Sequence, residues 1–130
     1  MNTVKIFDKE YPLAFTIEAQ SQIAKKAGGL DKLDELLDKE DPTQAMENSI
    51  FLVSVLLKAA ENRERVKTRM MGNPQEKSEV SVPTYEELLL VAEPKQIKEW
   101  MEVVFQVIKE SSQVTVEVEP QKKSEDTRSG

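Results

Sequence analysis

The sequence predicts a mainly helical single domain, with a small N-terminal β-hairpin, about five helices and a disordered C-terminal tail. Three observations carry that expectation. Apolar residues alternate with polar ones near the N-terminus, where Val4 and Ile6 face Leu13 and Phe15 across a polar stretch. Further on, apolar residues recur at i, i+3, i+4 and i+7 in segments bounded by capping residues, glycine and proline. The last ten residues, QKKSEDTRSG, contain nothing that builds a core. A folded domain over 1–111 and an extended, largely disordered segment over 112–130 follow from this division.

The hairpin is expected within residues 3–15, with Asp8-Lys9-Glu10 as its turn and Pro12 restricting the second strand to an edge or a bulge. Thr16 is placed to cap the next helix by accepting an orphan backbone N–H. Ile17, Gln20, Ile23, Ala24 and Ala27 continue at helical spacing, and Gly28-Gly29 supplies a left-handed stop. A phosphate-binding role for those glycines is the weaker reading, since no glycine-rich fingerprint surrounds them. A short acidic helix comes next, with Leu30, Leu33, Leu36 and Leu37 on one side.

Asp41-Pro42-Thr43-Gln44 is a strong helix start: a capping carboxylate, a proline whose missing N–H is harmless, and a glutamine at the box position. The helix is expected to run from Pro42 to about Met70, with Met46, Ser49, Ile50, Val53, Leu56, Leu57 and Ala60 forming its stripe. Leu52 and Val55 widen that stripe, implying burial against more than one neighbour. Its last part carries Arg63, Arg65, Lys67 and Arg69 among Glu61 and Glu64. An anion-binding or nucleic-acid-binding patch is one reading. A solvated face with cations at the negative end of the helix dipole is the better-supported one.

Gly72-Asn73-Pro74 breaks the helix, and Gln75 to Pro83 is polar enough for a mobile loop. Thr84 and Glu87 form a capping box for a short helix through Val91, which ends before the Glu93-Pro94 pair. Pro94 opens a last helix through about Glu110, with Ile97, Trp100, Met101, Val104, Phe105 and Ile108 on its apolar face. Beyond it, Val114, Val116 and Val118 alternate with polar residues like a strand. That segment either joins the hairpin or forms an arm captured by a partner.

Composition narrows the chemistry. With 130 residues the chain can bury roughly two thirds of its unfolded surface without a disulfide or metal staple. Its lack of cysteine and histidine removes thiol nucleophiles, histidine triads and soft metal sites, so neither cofactor nor metal is expected. A net charge of −6 argues against nucleic acid as a partner. The longest apolar run, Ile50 to Leu57, is far short of the ~20 residues that span a bilayer, so no membrane partner is expected either. The carboxylate pairs Asp34-Glu35, Glu86-Glu87 and Glu117/Glu119 each have a local explanation, and an enzyme is not expected. Partner binding is the remaining role. The candidate residues are Ile50, Val53 and Leu57 on the central stripe and Trp100 and Val104 on the last helix, all of which also suit a core.

The order of these elements resembles one family. VKIFDKEYPLAFTIEAQSQIAKKAGGLDKLDELL is similar to the N-terminal signature of tail assembly chaperones from long-tailed phages and prophages of Gram-positive bacteria. There a "V-x-I-x-G-K-E-Y-x-L-x-F" hairpin leads into a helix, a glycine stop and a short acidic helix. Val4, Ile6, Lys9, Glu10, Tyr11, Leu13, Phe15 and Gly28-Gly29-Leu30 match, and Asp8 stands where glycine is common. The likeness continues through the Asp41-Pro42 helix and the Thr84–Leu88 box, covers most of residues 1–110 and lapses in the tail.

The resemblance implies a non-catalytic protein of the host cytoplasm, absent from the virion, that coats the helical tape measure protein while the tail tube polymerises. It also implies, for many members, a longer form made by ribosomal frameshifting whose extension recruits tail tube subunits. Lys122-Lys123 is the candidate slippery position here. Self-association is left open, as is the alternative of a small adaptor or regulatory domain that binds one folded partner.

Overall fold

A computed structural model describes residues 2–38, 40–72 and 81–118, with side chains through Ser111 in the last stretch. The elements are β1 (Thr3–Ile6), β2 (Lys9–Pro12), α1 (Ile17–Ala27), a 3-10 turn (Leu30–Lys32), α2 (Leu33–Leu37), α3 (Pro42–Met70), α4 (Tyr85–Val91) and α5 (Pro94–Val118). Among the described residues the fold is mainly helical, with a two-stranded antiparallel hairpin and five α-helices. The tail from residue 119, including Lys122-Lys123, and most of the loop after Gly72 lie outside the described residues.

α3 is the axis of the domain. Asp41 caps it, its Oδ1 accepting from the Thr43 N–H at 3.0 Å, with Pro42 inside the first turn. Gln44 does not close the expected box. Its side-chain amide donates instead to Asn48 Oδ1 at 3.1 Å, one turn further along. From Asn48 to Ala60 the helix is buried on several sides, because α1, α2, α4, α5 and β2 all pack on it. The wide apolar stripe of the sequence therefore reflects a helix surrounded by neighbours.

The hairpin is shorter than expected and its turn falls earlier. Register pairs Ile6 with Lys9, so Phe7-Asp8 is the turn, and Lys9 and Glu10 belong to β2. Leu13 and Ala14 follow the strand and are buried, and the Ala14 N–H donates to the Leu56 carbonyl at 3.1 Å, tying the hairpin to α3. Thr16 caps α1 as its sequence predicts, accepting from the Ala19 N–H at 3.2 Å. At the far end Gly28 closes the helix at φ 89°, a conformation in which a side chain would be strained.

One helix face is rotated from its expected position, and a second differs from expectation at one residue. On α1, Ala19 and Ile23 face the core and Ile17 is exposed. Six residues separate Ile17 from Ile23, which at 100° per residue places them on different sides of the helix. On α5 the expected face is largely kept: Trp100, Met101 and Val104 are buried and Ile97 and Ile108 pack against the core, while Phe105 is exposed and Val107 is buried in addition.

α4 begins with the expected capping box: Thr84 N–H donates to Glu87 Oε1 at 2.9 Å and Glu87 N–H to Thr84 Oγ1 at 3.2 Å. Replacing Thr84 by alanine is expected to cost about 1 kcal/mol, read as a lower urea midpoint. Tyr85 meets Phe51 of α3 edge-on, with ring centroids 6.5 Å apart. Glu61 of α3 holds the segment leading into α4. Its carboxylate pairs with Lys58 at 2.7 Å and accepts the Val82 N–H at 3.4 Å. The Lys58 hydrogen bond, helped by Val82 and the nearby cations, keeps its pKa below the usual carboxylate value despite desolvation. A lowered folded-state pKa stabilises the fold above the ordinary carboxylate range, and that contribution is lost as pH falls through the folded value.

The C-terminal expectation needs correction. The backbone stays helical from Pro94 to Val118, so residues 112–118 are neither a third strand nor an extended arm. Valine alternation describes a strand only where a sheet edge is available. Here it continues an already nucleated helix, and adding residues to a helix costs far less than starting one.

Candidate partner-binding surface

All five residues singled out for partner binding lie in the core. Ile50, Val53 and Leu57 of α3 and Trp100 and Val104 of α5 are buried together with Leu52, Leu56 and Leu88. As folded they present nothing to a partner, because each is buried within the one core cluster. Trp100 also spends its polar atom internally: Nε1 donates to the Lys5 carbonyl of β1 at 3.3 Å, joining the last helix to the first strand. The core reading of Trp100 is the one the structure supports.

The exposed apolar surface lies elsewhere. Phe7 at the tip of the hairpin is 75% exposed, and Leu90 of α4 is 85% exposed. Both line a groove of about 470 Å³ between the hairpin and α4, together with Tyr11, Val82 and Val91, with Lys9 and Glu87 at its polar margin. Lys9 Nζ sits 5.3 Å from the centre of the Tyr11 ring, so its charge rests on an aromatic face.

Helical geometry explains Leu90. Leu88 to Val91 are four successive apolar residues on a helix of seven, and a helix packed on one side can bury only part of such a run. Leu88 points into the core, and Leu90, about 200° around the helix, points away. Phe7 is exposed for a different reason. It occupies the first position of a two-residue turn at φ 57°, the only non-glycine residue with positive φ among those described. A bulky residue there is strained, where glycine or asparagine is normal.

That strain gives a testable outcome. Phe7→Gly is expected to raise thermal stability, by about 1 kcal/mol from relief of the left-handed backbone. The same change removes the largest exposed ring from the groove. A gain in stability joined to a loss of partner binding would mark Phe7 as a residue kept for recognition.

Sequence reasoning missed both residues, although signals were present. Phe7 directly follows the inward-facing Ile6, so alternation turns it outward, and the LLLV run exceeds what one helix face can hide. Among the described residues, no group of three or more acidic, histidine or cysteine side chains is gathered as a metal site. Nor is any described helix long and apolar enough to cross a membrane. In comparisons with known proteins, no family model, no curated protein and no solved structure matches this chain.

Proposed function

We propose that this chain is a non-catalytic tail assembly chaperone that holds the tape measure protein in solution through the hairpin–α4 groove. The single observation that supports the binding part of this reading is the groove itself, with Phe7 and Leu90 exposed on a chain where 32% of residues are charged. Exposed apolar residues that line one groove are characteristic of surfaces that receive a partner. An apolar helix face is the natural occupant, because a groove of this kind takes side chains at i, i+3 and i+4. The net charge of −6 keeps such an assembly soluble. The choice of tape measure protein as client, the host cytoplasm as location and the absence from the virion all come from the family resemblance of residues 1–110.

Co-expression tests the reading. The wild-type chain is expected to keep an otherwise insoluble tape measure protein in the supernatant, while Leu90→Ser leaves the client in the pellet with the chaperone's own thermal midpoint unchanged. Failure of the wild type to hold the client would refute the chaperone role. Gene order provides a second check: the gene should lie between a tail tube gene and a very long tape measure gene, and another position favours the adaptor alternative.

A further inference from the structure

We infer that the distal end of α3 carries a second docking groove, whose partner is an amphipathic helix with an apolar stripe flanked by acidic residues. The inference does not rest on the chaperone reading. The groove measures about 540 Å³ and shares no lining residue with the one between the hairpin and α4. Its floor is a helical stripe, Ala59, Val66 and Met70, extended by Met71 at the helix end. Met70 and Met71 are 74% and 75% exposed. Long, unbranched and polarisable, methionine side chains adapt to varied apolar partners, which suits a surface that accepts a helix.

Charge sets the sign of the partner. Arg63 and Lys67, one turn apart, stand along the groove, and neither forms an ion pair among the described residues. The opposite wall is the first turn of α1, through Thr16 and Glu18, at the positive end of that helix. Glu18 is the one acid on the wall, and it accepts from the Asn62 side-chain amide at 3.4 Å. From Glu61 to Met71 the chain carries four cations and two acids, while the whole chain has net charge −6. A local positive rim around an apolar floor on an acidic protein complements an acidic amphipathic segment. Nucleic acid matches the rim but not the floor, since a phosphate backbone brings no apolar side for the methionines to cover.

The full-length chain can be titrated against a labelled amphipathic peptide of about five helical turns, with leucine at i, i+3, i+4 and i+7 and glutamate on both flanks. Controls are the same peptide with lysine for glutamate, a scrambled acidic peptide and a single-stranded DNA of similar length. Fluorescence anisotropy is expected to show saturable binding of the acidic helix, weakened at least about tenfold by the lysine exchange. The double variant Met70→Ser/Met71→Ser should weaken it by a similar factor. In Arg63→Glu/Lys67→Glu the preference should shift toward the lysine peptide. These side chains lie at the exposed end of α3, so the thermal midpoint of each variant should stay at the wild-type value. Leu90→Ser should bind the peptide as the wild type does, which separates this groove from the proposed client groove. The inference is overturned if the acidic helix does not bind at millimolar concentration, or if the lysine or scrambled peptide binds equally well. It is equally overturned if the methionine variant retains full affinity or the DNA binds more tightly.

Discussion

Trp100→Ala is expected to lower the unfolding free energy by about 3–5 kcal/mol, the usual cost of emptying a buried aromatic site. The ring is 2% exposed and sits among the residues that join α5 to α3 and β1. Its removal leaves a cavity, and it also frees the Lys5 carbonyl from its Nε1 donor at 3.3 Å. Domains of this size are stable by about 5–15 kcal/mol, so the variant should be close to unfolding at physiological temperature. Urea denaturation with circular dichroism measures the loss directly. A change below about 1 kcal/mol would show that the tryptophan is peripheral and would reopen its role as a partner contact. The contrast with Leu90→Ser is informative, because that change should leave the urea midpoint in place and act only on binding. One apolar residue supports the fold, and the other is exposed and, under the proposed function, open to a client.

Asn48→Leu is the second large effect expected, at about 1–3 kcal/mol of destabilisation with little change in side-chain volume. Asn48 is buried in α3, its side-chain amide donating to the Leu36 carbonyl at 2.6 Å while its Oδ1 accepts from Gln44 at 3.1 Å. The Leu36 carbonyl lies in the last turn of α2, where the intrahelical ladder has run out of donors. Asparagine thus closes the C-terminal end of a five-residue helix that is too short to be stable alone. Leucine in its place fills the space but strands that carbonyl. Hydrogen exchange should then show α2 opening at lower free energy than the rest of the domain, in addition to the global loss. Unchanged protection of α2 would mean that Leu36 packing alone holds it.

Much of the fold was legible because its signals are local. Thr16, Asp41 and the Thr84–Glu87 pair each satisfy backbone donors within three residues, so the helix starts follow from the sequence in their vicinity. Glycine at the end of α1 and proline at the start of α3 and α5 act in the same local way. The width of the α3 stripe also reported truthfully that several elements surround it. By contrast, Val114 to Val118 carry a strand-like pattern inside a helix. That pattern records residue preference, while the outcome depends on whether a sheet edge or a growing helix end is present.

The candidate binding surface was the least legible part, and the reason is geometric. Ile50, Val53, Leu57, Trp100 and Val104 looked suitable for a partner because they are apolar and regularly spaced, but those properties also define a core. Residue type and period say that a face is apolar; they do not say whether this chain or another one covers it. Tertiary packing decides that, by covering the α3 stripe with α1, α2, α4, α5 and β2 and the α5 stripe with α3 and β1. Among the described residues the most exposed apolar side chains left over are Phe7, Ile17, Leu90, Met70 and Met71, residues at a turn, at the start of α1, on the outward side of a short helix and at a helix end. The sequence by itself determined the helical class, the hairpin, the helix starts and the approximate length of the central helix, all of which depend on neighbours a few residues away. Only the tertiary structure decided which apolar residues remain uncovered, because exposure depends on contacts between segments far apart in the chain.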